Sequence, residues 1–306
     1  SKHPDETLEI WNKEAVLSDV VLAIRQFKPD VIINRFNHRT PGSTHGHHTS
    51  SAMLSIEAFD ITNDSSKFQS QLKNTSTWQP QRLFFNTSWW FYGSREKFEK
   101  ADKSRLLNFD IGTYYASSGL SNTEIASLSR SQHKSQGFGN TGTRGSQMEY
   151  IELIKGEMPT DKSNIFEGID TSWNRIDGGN AIGSILNQVE KDLDFTDTST
   201  SVSELVKAYV LVQKLEDSHW KPVKSEALKS IIEACAGLYL EAVAETNHST
   251  PNATVKLNIE VINRSTQNIR LLSLVNPNNL GIQKDVLLSK NTKFNLVIEG
   301  DTIDRV

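Results

Sequence analysis

The order of elements between Thr7 and Ile61 constrains this chain's fold more than any other feature of its 306 residues. Leu8, Trp11, Ala15, Leu17, Val20, Val21 and Ile24 recur near helical spacing, which predicts one amphipathic helix over ETLEIWNKEAVLSDVVLAIRQF, with Asp5 or Thr7 as its N-cap. Lys28-Pro29-Asp30 ends it, because the residue before a proline avoids the helical region. VIIN (31–34) is then a short, apolar, β-branched run, the pattern of a buried parallel strand. A polar loop, RFNHRTPGSTHGHH, separates it from a second helix, TSSAMLSIEAFDI. Helix, buried strand, loop and helix in this order belong to an α/β sheet, whose sites lie beyond the carboxyl ends of its strands. RLFFNT (82–87) and NFDIG (108–112) are further strand candidates, and a helix is expected through NTEIASLSRSQHKSQ.

The pattern changes after Pro159. Residues 160–180 are loop-like, with a break at Gly178-Gly179, and three helices are expected from 181 to about 246: AIGSILNQVEKDL, SELVKAYVLVQKL and SEALKSIIEACAGLYLEAVAE. From Ala253 the apolar period becomes two. Val255, Leu257, Ile259 and Val261 alternate with polar residues, as do Phe294, Leu296 and Ile298, which predicts half-buried strands. Three regions follow: an α/β domain over 1–159, a helical accessory region over 160–250, and the start of a β-sandwich over 251–306, about half of an immunoglobulin-like one. The chain is thus expected to be cut at both ends.

Composition excludes several function classes. With 36% hydrophobic and 23% charged residues the chain has ample material for globular cores, and its net charge of −4 implies no general affinity for nucleic acid or anionic membrane. No apolar run approaches the roughly 18 residues of a membrane span. The lone Cys235 sits in an apolar stretch and reads as a core residue, with no internal disulfide to form. Residue 1 is Ser and a helix starts almost at once, so any export signal, whether to the periplasm or beyond, is expected upstream of it.

Four of the eight histidines, His38, His45, His47 and His48, fall in the loop after the first strand, interleaved with Gly42 and Gly46. Imidazole is the commonest metal ligand and acid–base group near neutrality. His45 and His48 stand three apart across a helix start, so one can hold a metal while the other faces a substrate. Two histidines do not complete a catalytic zinc site, which usually takes three protein ligands and a water.

PDVIINRF with HGHHTSSAMLSIEAF resembles the second motif of the PIG-L (LmbE-like) zinc-dependent N-acetylglucosamine deacetylases: a Pro-Asp-led strand, a loop, a His-x-x-His pair and a small-residue helix running into Glu-Ala. HKSQ (133–136) resembles the family's closing His-x-Ser-Gln signature, so the resemblance covers about residues 5–155. It implies a Rossmann-like deacetylase domain, here incomplete at its N-terminus. With Ile56 to Phe59 fixing the register, it implies that His48 is a zinc ligand and His45 the catalytic histidine, stabilising an oxyanion or protonating a leaving amine. The implied cofactor is zinc or another divalent metal. The implied reaction removes acetyl from an N-acetylated amino sugar or its glycoconjugate. The sequence departs from the family at His47, where an aspartate is usual.

His3-Pro4-Asp5-Glu6 imitates the family's first motif, His-Pro-Asp-Asp-Glu. No strand precedes it here, Glu6 replaces the second aspartate, and it stands too near the histidine pair. It is therefore expected to be a helix-start turn on the site's side of the sheet. The base and two further ligands are expected upstream, which leaves residues 1–306 with weak zinc affinity and negligible turnover. In NTSWWFYG (86–93), Trp89 can stack on a sugar or pack inward, and Arg39 can contact a polar substrate or remain loop charge. QGFGNTGTRGS lacks a P-loop's Gly-Lys-Ser/Thr and reads as a rim loop. The rival reading is a binding module: a degenerate deacetylase domain that uses its aromatics and sandwich to hold carbohydrate or a cell-surface partner.

Overall fold

The structure, a computed structural model, describes residues 1–40, 44–275 and 281–301; Gly42 of the histidine loop lies outside them. It is a mixed α/β chain with several sheets, divided into two compact units, 1–169 and 170–306. The helical region and the period-two strands both fall in the second unit.

The single helix expected first is two: α1 (Pro4–Trp11) and α2 (Lys13–Phe27). Asn12 separates them in a left-handed conformation (φ 58°), its side chain accepting the Ala15 N–H. Asparagine tolerates that conformation better than most residues, so an apolar period that runs on through it can still break. The expected caps also differ. His3 is the cap residue, without a side-chain bond, and Pro4 stands in the first turn where its missing N–H costs nothing. Thr7 instead donates its hydroxyl to the His3 carbonyl at 3.0 Å. Leu8, Leu17, Val21 and Ile24 form one core with Leu54 and Ala58 of α3 (Gly46–Ile61).

The sheet of this unit contains β1 (Val31–Asn34), β2 (Arg82–Thr87) and β3 (Leu106–Asp110). β1 pairs parallel with β2. Between β2 and β3 lies a strand the sequence reading lacked, running antiparallel to both. Before it the chain makes a small hairpin, β4 (Tyr114–Tyr115) with β5 (Leu120–Ser121), after the short α4 (Arg95–Lys100). A helix α5 (Asn122–Ser131) follows, closed at its start by a Ser121–Glu124 capping box, and the inserted strand is β6 (Met148–Lys155). β2 is buried on both faces, as expected of a central strand. β1 is not the fully buried strand expected: it lies at the sheet's edge and Ile33 is 51% exposed. Because β1, β2 and β3 run the same way and β6 runs back, one end of the sheet gathers the segments after β1, β2 and β3 and before β6.

In the second unit α6 (Gly179–Asp192), α7 (Val202–Val212) and α8 (Trp220–Ala236) pack around Ile182, Leu205, Ala208, Val212 and Leu228. The third helix stops ten residues short of its expected end at about 246, because Gly237 takes the left-handed turn (φ 58°) that closes a helix. LYLEAVA then forms β7 (Leu238–Ala244), paired antiparallel with β8 (Thr254–Asn263). β9 (Ile269–Val275) pairs with β10 (Gly281–Leu288), and β11 (Lys293–Asp301) pairs with β8. Ile259, Val261 and Ile298 of the three-stranded sheet share a core with Leu288, Ile269 and Leu271 of the two-stranded one. The predicted alternation in β8 and β11 thus places its apolar set between two sheets.

Candidate functional site

The histidine loop leaves the end of β1 and returns into α3, so strand direction and helix start fix where its imidazoles stand. His45 is the cap residue of α3, in extended backbone, and His47 and His48 lie in the first turn. The ring centres of His45 and His48 are 5.7 Å apart, those of His47 and His48 4.1 Å, and those of His45 and His47 5.4 Å. Phe36, just after β1, stacks on His48 at 3.8 Å with the planes nearly parallel. Burial holds the His48 imidazole below the usual histidine pKa, and its neighbours His47 and His45 push the same way. The ring is therefore neutral near pH 7, the form in which imidazole binds a metal. His38 is lowered as well, first by burial and then by Arg39, with Glu152 opposing.

The N-terminal turn reaches the same place. Gly46 donates its N–H to the Ser1 carbonyl at 3.0 Å, and Ser50 Oγ donates to the Pro4 carbonyl at 3.3 Å. A Cβ at Gly46 would stand 2.5 Å from both the His3 carbonyl oxygen and Thr7 Oγ1, so only glycine lets the turn seat on α3. The His3 backbone thus lies against the start of α3, while its side chain is exposed.

Arg39 is held by a partner the sequence reading missed. Its guanidinium donates to both carboxylate oxygens of Glu152 on β6, at 2.9 and 2.5 Å, and that hydrogen-bonded pairing raises its pKa. The Glu152 side chain is only 14% exposed, opposite Phe85 and Leu106, so its charge needs a cation there. Arg35 donates to Asn86 Oδ1, and Asn86 donates on to Glu149 at 2.9 Å. Glu152 had a legible signal, since it alternates with Ile151 and Leu153 in MEYIELIK, whereas Glu149 shares their parity and had none.

Trp89 opens a 3-10 turn (Trp89–Tyr92) after β2, on the same rim as the histidine loop. Trp89 is 41% and Trp90 49% exposed, whereas Phe91 and Tyr92 turn inward onto Phe85 and Phe98. The Arg95 guanidinium stands 5.3 Å over the Trp89 ring. His133 of HKSQ is exposed in the turn after α5, beyond the end of the helix on which it was expected. The rim thus brings together His38, Arg39, His45, His47, His48 and Trp89 at one end of the sheet. Among the described residues no three His, Cys, Asp or Glu side chains form a group able to hold a metal.

No protein-family model, no curated protein and no solved structure matches this chain. Among the described residues no helix is long and apolar enough to cross a membrane.

Proposed function

We propose that residues 1–159 form the closing part of a Rossmann-like, zinc-dependent N-deacetylase domain, acting on an N-acetylated amino sugar or its glycoconjugate. The observation that carries this reading is the pair His45 and His48 at the start of α3, at the carboxyl end of a parallel strand. With ring centres 5.7 Å apart, a metal held by His48 would leave His45 close enough to act on the substrate bound there, and the neutral His48 fits the ligand's role. One ligand imidazole is too few for a catalytic centre, so the reading includes a base and two further ligands from outside these residues.

In that site His48 would hold the metal, and Phe36 stacked on its face fixes the ring's orientation. Bound zinc would supply an acidified water and a polarised amide carbonyl. His45, exposed at the helix start, can carry a proton to the departing amine or donate a hydrogen bond to the oxyanion. Trp89 and Trp90 offer aromatic surface for a sugar ring on the same rim. Arg39, clamped to Glu152, would steady the loop rather than hold substrate.

The rival is a carbohydrate-binding module that keeps the fold without turnover. His47, where the resembled family has aspartate, and the exposed tryptophan pair favour it. Zinc content and release of acetate from N-acetylglucosamine conjugates separate the two, measured in a chain that also carries the further ligands. His48→Ala should lose zinc and turnover together, and His45→Ala should keep zinc and lose turnover. Full zinc occupancy in His48→Ala would end the ligand assignment. A wild-type chain without stoichiometric zinc that still retained sugar would establish the binding module.

A further inference from the structure

The outward face of the three-stranded sheet formed by β7, β8 and β11 carries a depression of about 330 Å³. Ile259 and Leu296 border it from behind, with their side chains in the core between the two sheets. The strand period of two turns the residues beside them outward. Antiparallel register aligns these residues in rows. Val243 and Val297 are each paired with Asn258, one from either side, and Glu241 and Asn295 are paired with Glu260 in the same way. With strands about 4.8 Å apart and alternate residues about 6.8 Å apart, the six side chains cover roughly 10 Å by 7 Å.

The two rows differ in chemistry. Val243 is 50% and Val297 56% exposed, so the Asn258 amide stands between two open apolar side chains. Among the described residues the Asn258 and Asn295 side chains have no hydrogen-bond partner. Glu241 and Glu260 are like charges directly opposite each other, an arrangement that destabilises a strand pair unless something offsets it. The next row supplies the offset. Lys293 Nζ donates to Glu260 at 2.8 Å, and the Tyr239 hydroxyl is hydrogen-bonded to Glu241. Beyond the two rows, Lys256 stands opposite Glu299, and the Arg264 guanidinium lies 4.8 Å from the centre of the Tyr239 ring. Charges of both signs are thus interleaved over the face, and it presents no single-sign field to an ion.

Amides, acceptors and apolar flanks without a dominant charge suit a neutral polyhydroxy ligand. A sugar hydroxyl both donates and accepts. An Asn side chain meets both needs with its carbonyl and its NH2 group, and a carboxylate accepts. The C–H face of a pyranose can bury against valine methyls. An anion would meet Glu241 and Glu260, and an acyl chain would strip water from the polar row without replacing its hydrogen bonds. A peptide strand would pair along the free edge of β7 rather than across this face. Size agrees, since ligand pockets begin at about 300 Å³. We infer that this face binds a neutral saccharide of one or two rings, with its hydroxyls on Asn258, Asn295 and Glu241 and its ring carbons on Val243 and Val297. The site belongs to the second unit and does not rest on the deacetylase reading of the first.

The test is a titration of the 306-residue chain with cellobiose, maltose, lactose and N,N′-diacetylchitobiose, with glycerol and the fully deacetylated chitobiose diamine as controls. It reads the methyl resonances of Val243 and Val297 and the side-chain amide resonances of Asn258 and Asn295, so sugar held by the first unit does not register. At least one neutral disaccharide should shift all four groups saturably, with a dissociation constant on the order of 1 mM, while glycerol should not. Asn258→Val and Asn295→Val suit exposed strand positions and should each weaken binding about tenfold. Absence of a saturable shift with all four neutral disaccharides overturns the inference. Binding of the diamine alone, lost at high salt, also overturns it and assigns the face to a cation read by Glu241 and Glu260. So does undiminished affinity in both valine variants.

Discussion

The two ends of α3 place polar groups in opposite circumstances. Just beyond its C-terminal end, Arg25 of α2 is 1% exposed and its guanidinium donates to the carbonyls of Thr62, Asp64, Lys67 and Phe68 and to Gln71 Oε1, at 2.9–3.4 Å. Gln71 in turn donates to Ser18 of α2, at 2.8 Å to its carbonyl. At the N-terminal end, His45 and His47 are exposed, and His48 is stacked on Phe36. The first arrangement is closed: its donors are matched to backbone acceptors, and it pins the chain after α3 onto α2. The second is open: its nitrogens face a rim where a ligand can reach them. A network that satisfies itself stabilises a fold, whereas an array of exposed acid–base groups is available for chemistry.

Breaking the closed end should have the largest effect. Arg25→Met keeps much of the aliphatic bulk but leaves the buried Thr62 carbonyl and the part-buried carbonyls of Asp64, Lys67 and Phe68 without their donor. It should destabilise the first unit by roughly 3 kcal/mol or more, read from its urea unfolding transition. Arg25→Lys, which keeps the charge without the fork, should recover only part of that loss. A cost under about 1 kcal/mol for Arg25→Met would mean that water replaces the guanidinium easily and that the two ends differ less than described.

The open end rests on a backbone contact, and Gly46→Ala attacks it directly. The new Cβ would meet the His3 carbonyl oxygen and Thr7 Oγ1, each at 2.5 Å. Thr7 can rotate away, but the backbone of His3 must move. The expected cost is about 1–3 kcal/mol, from overpacking a tight contact. Amide resonances of residues 1–8 should shift with it, since Gly46 N–H bonds the Ser1 carbonyl. Unchanged resonances there, with unchanged melting, would show that the N-terminal turn is not anchored to α3.

The sequence revealed these two ends unequally. The histidine cluster was legible because polar residues of one type crowded a loop between a strand and a helix. Arg25 was legible only in part: it follows Ile24 and stands four residues after Val21, within the core-facing stripe, yet a charged residue at a stripe's edge usually extends into water. Its acceptors come from residues 62–71, and no local pattern connects the two segments. The same limit hid β6. Its alternation was present, but a strand inserted antiparallel between two parallel ones is a tertiary choice that neighbouring sequence does not announce. LYLEAVA was misread for a third reason. Its apolar residues fit both periods, and pairing with β8 decides for strand once Gly237 has ended α8. By contrast, the apolar set of β8 and β11 was read in register, because a period of two admits no competing helical face.

The smallest expected effect concerns His3-Pro4-Asp5-Glu6, which stands against the open end without being part of its chemistry. Pro4 occupies the first turn of α1, Asp5 and Glu6 follow it there, and the His3 side chain makes no capping bond. Negative charge in a helix's first turn is worth about 0.3–1 kcal/mol through the macrodipole, so Asp5→Asn should cost no more than that. His3→Ala removes an exposed ring while leaving the carbonyl that Thr7 and Gly46 contact, and should cost still less. Under the deacetylase reading, both variants should retain the wild-type zinc content in a chain that also carries the further ligands, measured per folded protein beside His48→Ala. The comparison also has a discriminating arm. Gly46→Ala displaces the turn as a whole, so any loss of zinc there without a loss in His3→Ala would trace to α3's start and its histidines. Loss of zinc in His3→Ala or Asp5→Asn with the fold intact would make this segment the metal motif itself, and the open end would then begin at residue 3 rather than at His45.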